Sequence, residues 1–198
     1  MPYLTMARGA WEASPQWTAF KNKLDLLATR VRVKKIVCIA LGQHIEQHVL
    51  ASCMARYLRE VYSSYSSWSP SSNGESEVAK IDICAFDPCY EYADMVALEA
   101  LTPVPIHVVS DPYHYLAIDE HTLVFSVSHP CFVPYHEIVA DLLYPSGPAA
   151  FLTNEFWDDF EWFGENRVAG LDAWTPRITR MMGLYGKDAL GEIGRAHV

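Results

Sequence analysis

The chain has 198 residues, enough for one domain with a substantial core but cramped for two. Apolar residues make up 51% of it and charged residues 20%, which is typical of a globular and not of a disordered protein. The formal net charge is −9 with no basic stripe, so nucleic acid or an anionic membrane is not expected as a partner, because phosphate binding needs clustered Lys and Arg.

Targeting signals and cysteine usage favour an intracellular protein. We expect no signal peptide, because no N-terminal apolar segment follows a basic start. We expect no membrane span, since no apolar run reaches the ~18–20 residues that a bilayer requires. The five cysteines are odd in number and scattered, and Cys38 and Cys84 lie inside predicted buried strands. A reduced compartment fits best, and we expect the cytoplasm, with the nucleus as a second location.

Residues 1–30 are predicted to form an N-terminal helical extension. In "SPQWTAFKNKLDLLATR", Ser14 suits a helix cap and Pro15 suits the first turn. Apolar side chains then recur on one face of the predicted helix: Trp17, Phe20, Leu24 and Leu27.

Strands and helices alternate over residues 31–155. The run "VKKIVCIALG" ends at Gly42 and is typical of a parallel strand buried on both faces. The helix that follows is expected to end near Tyr62, where the Ser-rich residues 63–78 predict a flexible surface insertion.

The rest of this region repeats the pattern. "KIDICAF" predicts the second strand, and a second helix is expected from about Tyr90 to Leu101, before the third strand "IHVVS". The fourth strand is "TLVFSVS" (122–128), and "AAFLTN" (149–154) is the fifth, after a short helix that Pro134 begins and Pro145 ends. The alternation predicts a three-layer, Rossmann-like α/β domain with a mostly parallel sheet of about five strands.

The C-terminal part divides into two pieces. Residues 156–191 are acidic and aromatic and are expected to be partly helical. Residues 192–198 follow no pattern and match one reading frame of a common sequencing-adapter oligonucleotide, so we interpret them as a non-native tail.

Two predicted strands end in the same way, at Asp87-Pro88 and at Asp111-Pro112, each with a tyrosine just beyond. In an open parallel sheet, ligands bind beyond the carboxyl ends of the strands. The loops there are polar and predict a ligand cleft. Its candidate residues are Gly42, Gln43, His44, Asp87, Tyr90, Asp111, Tyr113, His129 and Asn154.

Each aspartate in these motifs has a structural and a functional interpretation. A residue before proline avoids the helical region, so both Asp-Pro pairs end a strand and turn the chain. Asp87 also stands where nucleotide-binding folds hold a ribose hydroxyl. The phosphate-binding half of that signature is missing, because "ALGQH" has one glycine and bulky Gln43 and His44 follow it. No helical pattern follows Asp111, which favours a structural turn there.

Metal and nucleophile patterns are weak. In "HIEQH" the glutamate stands one position late for a zinc-peptidase helix. His129, Cys131 and Cys89 follow neighbouring strands, but they lack Cys-x-x-Cys spacing and an oxyanion glycine. We therefore assign no catalytic residue and no metal ligand, and the sequence specifies no cofactor.

Three stretches resemble the Sensitivity to Red light Reduced-like domain family, in its fungal form. They are "KKIVCIALG" with Gln47-His48 on the next helix, "AFDPCYEYADMVALEAL", and "VVSDPYHYLAIDEHTLVFSVSHPCFVPYHEIVADLLYPSGPAAFLTN". The resemblance covers roughly residues 30–155. Two loops depart from the family pattern: "ALGQH" replaces a Gly-x-Gly-Ser-like loop, and "HPCF" is inserted after the fourth strand.

The resemblance implies relatives and no reaction. Plant members are associated with light signalling and the circadian clock, and animal relatives with haem-related regulation and cell proliferation. The leading hypothesis is therefore a regulatory protein without established catalysis, with an unknown protein or small molecule as its partner. The alternative is a nucleotide- or S-adenosylmethionine-dependent transferase with Asp87 on a ribose. A third hypothesis is a scaffold that binds partners through the acidic, aromatic C-terminal segment.

Overall fold

A computed structural model of the chain describes residues 2–66, 80–127, 133–153 and 175–186. The helices in these ranges are α1 (Pro2–Glu12), α2 (Pro15–Arg30), α3 (Ile45–Ser66), α4 (Tyr92–Glu99), α5 (Tyr113–Leu116), α6 (Tyr135–Leu143) and α7 (Pro176–Met182). The strands are β1 (Lys35–Ile39), β2 (Asp82–Phe86), β3 (His107–Val108), β4 (Thr122–Ser126) and β5 (Ala150–Thr153).

The five strands form one sheet in the order β3-β2-β1-β4-β5, and every neighbouring pair is parallel. The predicted Rossmann-like α/β fold is confirmed. Strand β1 lies in the centre, so the chain builds outward to β3 and then returns to place β4 on the other side of β1. The order of strands therefore reverses between β1 and β4, and their carboxyl ends mark the usual ligand crevice of such a sheet.

The sheet separates two apolar cores. Side chains alternate across β4, so Leu123 and Phe125 face the core formed with α2 and α3, and Val124 faces the core formed with α6 and α7. Each of these three side chains is at most 3% exposed. Burial on both faces explains why the strands read as continuous apolar runs.

The N-terminal helix α2 begins as predicted. The Ser14 hydroxyl oxygen accepts the Trp17 N–H at 3.0 Å, and Trp17, Phe20 and Leu24 are buried. Helix α1 precedes it within the predicted helical extension, where the sequence analysis specified only one helix. It lies against α3, where the Glu12 carboxylate pairs with the Arg56 guanidinium at 2.6 Å.

Three boundaries differ from the predictions. Helix α3 ends at Ser66 and not near Tyr62, so it continues into the Ser-rich stretch that was predicted to be a flexible insertion. Only two residues of "IHVVS" pair as β3. A one-turn helix, α5, follows Asp111; a single turn is too short to show a periodic pattern.

Most of the predicted insertion lies outside the described residues. The same holds for residues 192–198 and for most of 156–191, of which the structure describes 175–186, including helix α7.

Ser52→Ala is expected to lower the free energy of unfolding by about 3 kcal/mol. The buried Ser52 hydroxyl donates to the Val104 carbonyl at 2.8 Å and accepts the Val104 N–H at 2.9 Å, so alanine leaves two buried backbone groups unpaired. Urea denaturation measures the loss. Ser63→Ala, at an exposed position of the same helix, is the control and is expected to change stability by less than about 0.5 kcal/mol. Equal effects would show that the Ser52 contact does not join α3 to the loop before β3.

Candidate functional site

The predicted cleft residues lie in loops at the carboxyl edge of the sheet. We call the loops 40–44, 87–91 and 109–112, which follow β1, β2 and β3, the carboxyl rim. They hold most of the predicted site; Tyr113 is the first residue of α5, directly after the third loop. The remaining two candidates, His129 and Asn154, lie outside the described residues.

Asp87 joins two of these loops. The Gly42 N–H donates to its Oδ2 atom at 2.7 Å, and the Cys89 N–H donates to its Oδ1 atom at 2.8 Å. The side chain is buried, with 8% of the residue exposed. Both carboxylate oxygens therefore receive a backbone amide from inside the protein, and both bonds gain strength from the carboxylate charge.

The loop after β1 turns sharply to bring the Gly42 amide to Asp87. Ala40 has φ +52° and Gly42 has φ +62°, both in the left-handed region. Glycine adopts this conformation without steric cost, whereas Ala40 is strained by it. The Ala40 N–H donates to the Phe86 carbonyl at 3.0 Å, which continues the β1–β2 hydrogen bonding into the turn.

Gln43 binds the same neighbouring loop. Its side-chain amide donates to Asp94 Oδ2 at 3.1 Å and to the Cys89 carbonyl at 3.3 Å. Asp94 also accepts the Glu91 N–H at 2.9 Å in a capping box at the start of α4. Gly42, Gln43 and Asp87 thus lie close together, and their polar groups are bound within the protein: Gly42 to Asp87, and Gln43 to Cys89 and Asp94.

The predicted cleft residue Tyr90 forms a buried pair with His48, which the sequence analysis did not assign to the cleft. His48 is 1% exposed; its Nδ1 atom lies 2.8 Å from the His44 carbonyl and its Nε2 atom 2.6 Å from the Tyr90 hydroxyl. A carbonyl only accepts, so Nδ1 carries the proton and Nε2 accepts the Tyr90 O–H. Burial raises the pKa of Tyr90 and lowers that of His48, so both are neutral near pH 7. The "HIEQH" pattern pointed to His48, but as a rejected zinc ligand.

Asp111 and Tyr113 are not joined to this group by the hydrogen bonds of the described residues. The side chain of Asp111 is 66% exposed, and Tyr113 is 62% exposed. Next to them, the His114 side chain is buried, with 1% of the residue exposed, and its ring stacks on that of Phe86 with 4.3 Å between the centroids. Its Nδ1 atom has no hydrogen-bond partner among the described residues. The nearest carboxylate oxygen of Asp111 lies 3.9 Å from that atom, beyond hydrogen-bond range.

A second unpartnered atom lies at the end of β4. Ser126 is fully buried, and its hydroxyl has no hydrogen-bond partner among the residues that the structure describes. Thr153 is the residue of β5 that pairs with Ser126 in the sheet. The hydroxyl oxygens of Thr153 and Tyr135 lie 2.9 Å apart and form a hydrogen bond. Sequence patterns gave no signal for either His114 or Ser126, because an unsatisfied buried atom is visible only in three dimensions.

The charge of the carboxyl rim is negative. Its three loops contain no Lys or Arg, and they carry the carboxylates of Asp87, Glu91 and Asp111. Among the described residues, no group of three or more His, Cys, Asp or Glu side chains could hold a metal ion. The rim therefore suits a phosphate group poorly, because phosphate binding depends on cationic side chains or free backbone amides.

A sequence model of the SRR1 domain matches residues 19–162, well over half of the chain. The chain belongs to the SRR1 domain family. The matched region spans the whole sheet and extends at both ends past residues 30–155, which carried the resemblance. Comparisons with curated proteins and with solved structures find no match.

In this SRR1 domain, Asp87→Asn is expected to lower the free energy of unfolding by about 2–3 kcal/mol. The asparagine oxygen can accept one of the two amides, but without the charge that strengthens the bond. The NH2 group then faces the other N–H, and that hydrogen bond is lost. Chemical denaturation measures the change. Asp111→Asn, on the exposed side of the same rim, is the matched control and is expected to stay within about 0.5 kcal/mol. An equally small effect at Asp87 would contradict the role of its carboxylate as the link between the loops.

The stability of the domain is expected to fall as the pH drops below about 6.5. Burial lowers the pKa of His48 and of His114 in the folded state, so the unfolded chain binds protons first. The stabilisation is complete above the unfolded value of about 6.5 and is lost as the pH falls through the folded pKa. Denaturation at pH 7.5 and at pH 5.5 measures the difference. His48→Gln should flatten the dependence, whereas His44→Gln, at an exposed position, should retain it; an unchanged slope in His48→Gln would refute the contribution of His48.

Proposed function

We propose that this chain is a regulatory SRR1 domain protein that acts by contact with a partner protein and not by catalysis. The observation that carries the proposal is the position of Asp87. Its carboxylate occupies the Gly42 and Cys89 amides at the place where a nucleotide-binding fold would receive its ligand. The Asp87 carboxylate and these two amides of the first two rim loops are thus bound within the protein itself.

The electrostatics of the rim support the same proposal. A nucleotide phosphate at the start of α3 would lie near Gly42, the one glycine of the loop after β1, and therefore near the carboxylate of Asp87. The rim loops contain no Lys or Arg to offset the repulsion between the two negative charges. A ribose hydroxyl would have to reach a carboxylate that is 8% exposed and already accepts two backbone amides. Large exposed apolar side chains instead lie on helices outside the rim loops: Tyr92, Met95, Val96, Tyr113 and Leu116.

The proposal extends to the biological setting. We infer a fungal form of the domain, in the cytoplasm and the nucleus, with a signalling role comparable to that implied by its plant relatives. No helix among the described residues is long and apolar enough to cross a membrane.

A second candidate function is a transferase that binds a nucleotide or S-adenosylmethionine. Two observations favour it: the reversal of strand order between β1 and β4, and the unpartnered polar atoms of Ser126 and His114 on this side of the molecule. A ligand that reaches these atoms would satisfy them.

Thermal unfolding of the full chain with ATP, S-adenosylmethionine, NAD and haem separates the two functions. We expect no stabilisation by any of them. A ligand at 100-fold its dissociation constant would add about 2.7 kcal/mol, well above the detection limit of the measurement.

A stabilising ligand would overturn the proposal if the effect were lost in Ser126→Ala and kept in Ser63→Ala. These variants remove the same hydroxyl group, once at the buried end of β4 and once on the exposed surface of α3. A stabilisation that both variants retain would place the ligand away from the crevice and leave the hydrogen-bonded rim loops intact.

A further inference from the structure

Helix α4 presents apolar side chains to solvent. Tyr92 is 82% exposed, Met95 37% and Val96 45%. Their spacing, i, i+3 and i+4, places them on one face, which we call the α4 stripe. The buried residue of this helix, Leu98, lies on the side that packs toward the sheet. Helix α4 is therefore apolar on the face where a surface helix is normally polar.

The chain segment that carries the α4 stripe has negative charges only. Residues 81–106 contain five Asp or Glu residues and no Lys, Arg or His. Glu91 and Glu99 are both exposed and stand immediately before the stripe and one turn beyond it. A partner that covers the stripe must therefore supply apolar contacts in the middle and positive charges at both ends.

We propose that the α4 stripe docks a basic amphipathic helix of a partner protein. The inference rests on the proposed regulatory function and names its binding surface. Leucine-like side chains of the partner cover Tyr92, Met95 and Val96, and its flanking Lys or Arg side chains pair with Glu91 and Glu99. This arrangement follows the usual division of an interface into an apolar centre and a polar rim.

A second copy of the chain fits the stripe less well. Two α4 helices packed antiparallel across a twofold axis bring Glu91 of one copy near Glu99 of the other, and a parallel pair brings each glutamate near its own equivalent. Both arrangements place like charges at the ends of a small apolar contact. A basic helix replaces this repulsion with attraction.

The full chain is tested with a synthetic helical peptide of leucine and lysine, about 14 residues or four turns long, with leucines on one face. Calorimetry measures its binding. We expect saturable binding with one peptide per chain, which weakens as NaCl rises from about 0.1 to 1 M because the Debye length falls from about 10 to 3 Å. The matched peptide with glutamate in place of lysine is expected not to bind.

Variants then locate the contact. Met95→Ser/Val96→Ser is expected to weaken binding about tenfold, and Glu91→Gln/Glu99→Gln to weaken it and to reduce its salt dependence. Leu26→Ser/Leu142→Ser is the matched control, since both leucines are 45% exposed and lie on α2 and α6. The control is expected to bind as the unmodified chain does.

Two results would overturn the inference. One is equal binding by all three variants, which would indicate general attraction to a chain of net charge −9. The other is a concentration-dependent dimer that Met95→Ser/Val96→Ser abolishes, which would assign the stripe to a second copy. Neither result touches the proposed function, which the ligand panel tests separately.

Discussion

The carboxylate of Asp87 is the interaction on which the carboxyl rim depends. It holds the loops after β1 and β2 together through one backbone amide from each. The capping box at α4, the Gln43 contact to Asp94 and the buried His48–Tyr90 pair all lie in or directly beneath these two loops. Because each of these contacts assumes the loop geometry that Asp87 sets, the first two rim loops behave as one cooperative hydrogen-bonded unit.

This unit explains how a nucleotide-binding architecture can exist without the chemistry of a nucleotide site. The strand order places a crevice between β1 and β4, but a residue of the protein itself supplies the anion that the first loop would otherwise attract. The fold and the site are separate properties, and the surface features that suit recognition lie on α4. The proposed function accordingly uses a helix face of this SRR1 domain and not the crevice.

The fold followed from the sequence because its signals are local. Apolar runs, Ser14 with Pro15, and the Asp-Pro turns each act within a few residues, and they determined strand and helix positions to within a few residues. The site did not follow in the same way. Asp87 binds the amide of Gly42, which is 45 residues away in the sequence. The Ser126 hydroxyl lacks a partner among the described residues because of how several elements pack around it. The one-turn helix α5 and the last turn of α3 were missed, because a single turn is too short for the apolar residues to show a helical repeat.

The brevity of β3 has a consequence for assembly. As the outermost strand it would normally offer unpaired N–H and C=O groups to a strand of another molecule. Here only His107 and Val108 are paired as strand, and Pro105 and Pro112, which lack an N–H, stand on either side. This edge therefore gives an incoming strand almost no template. The exposed apolar side chains of α4, which packs beside β3, therefore do not adjoin a strand edge from which fibrils could grow.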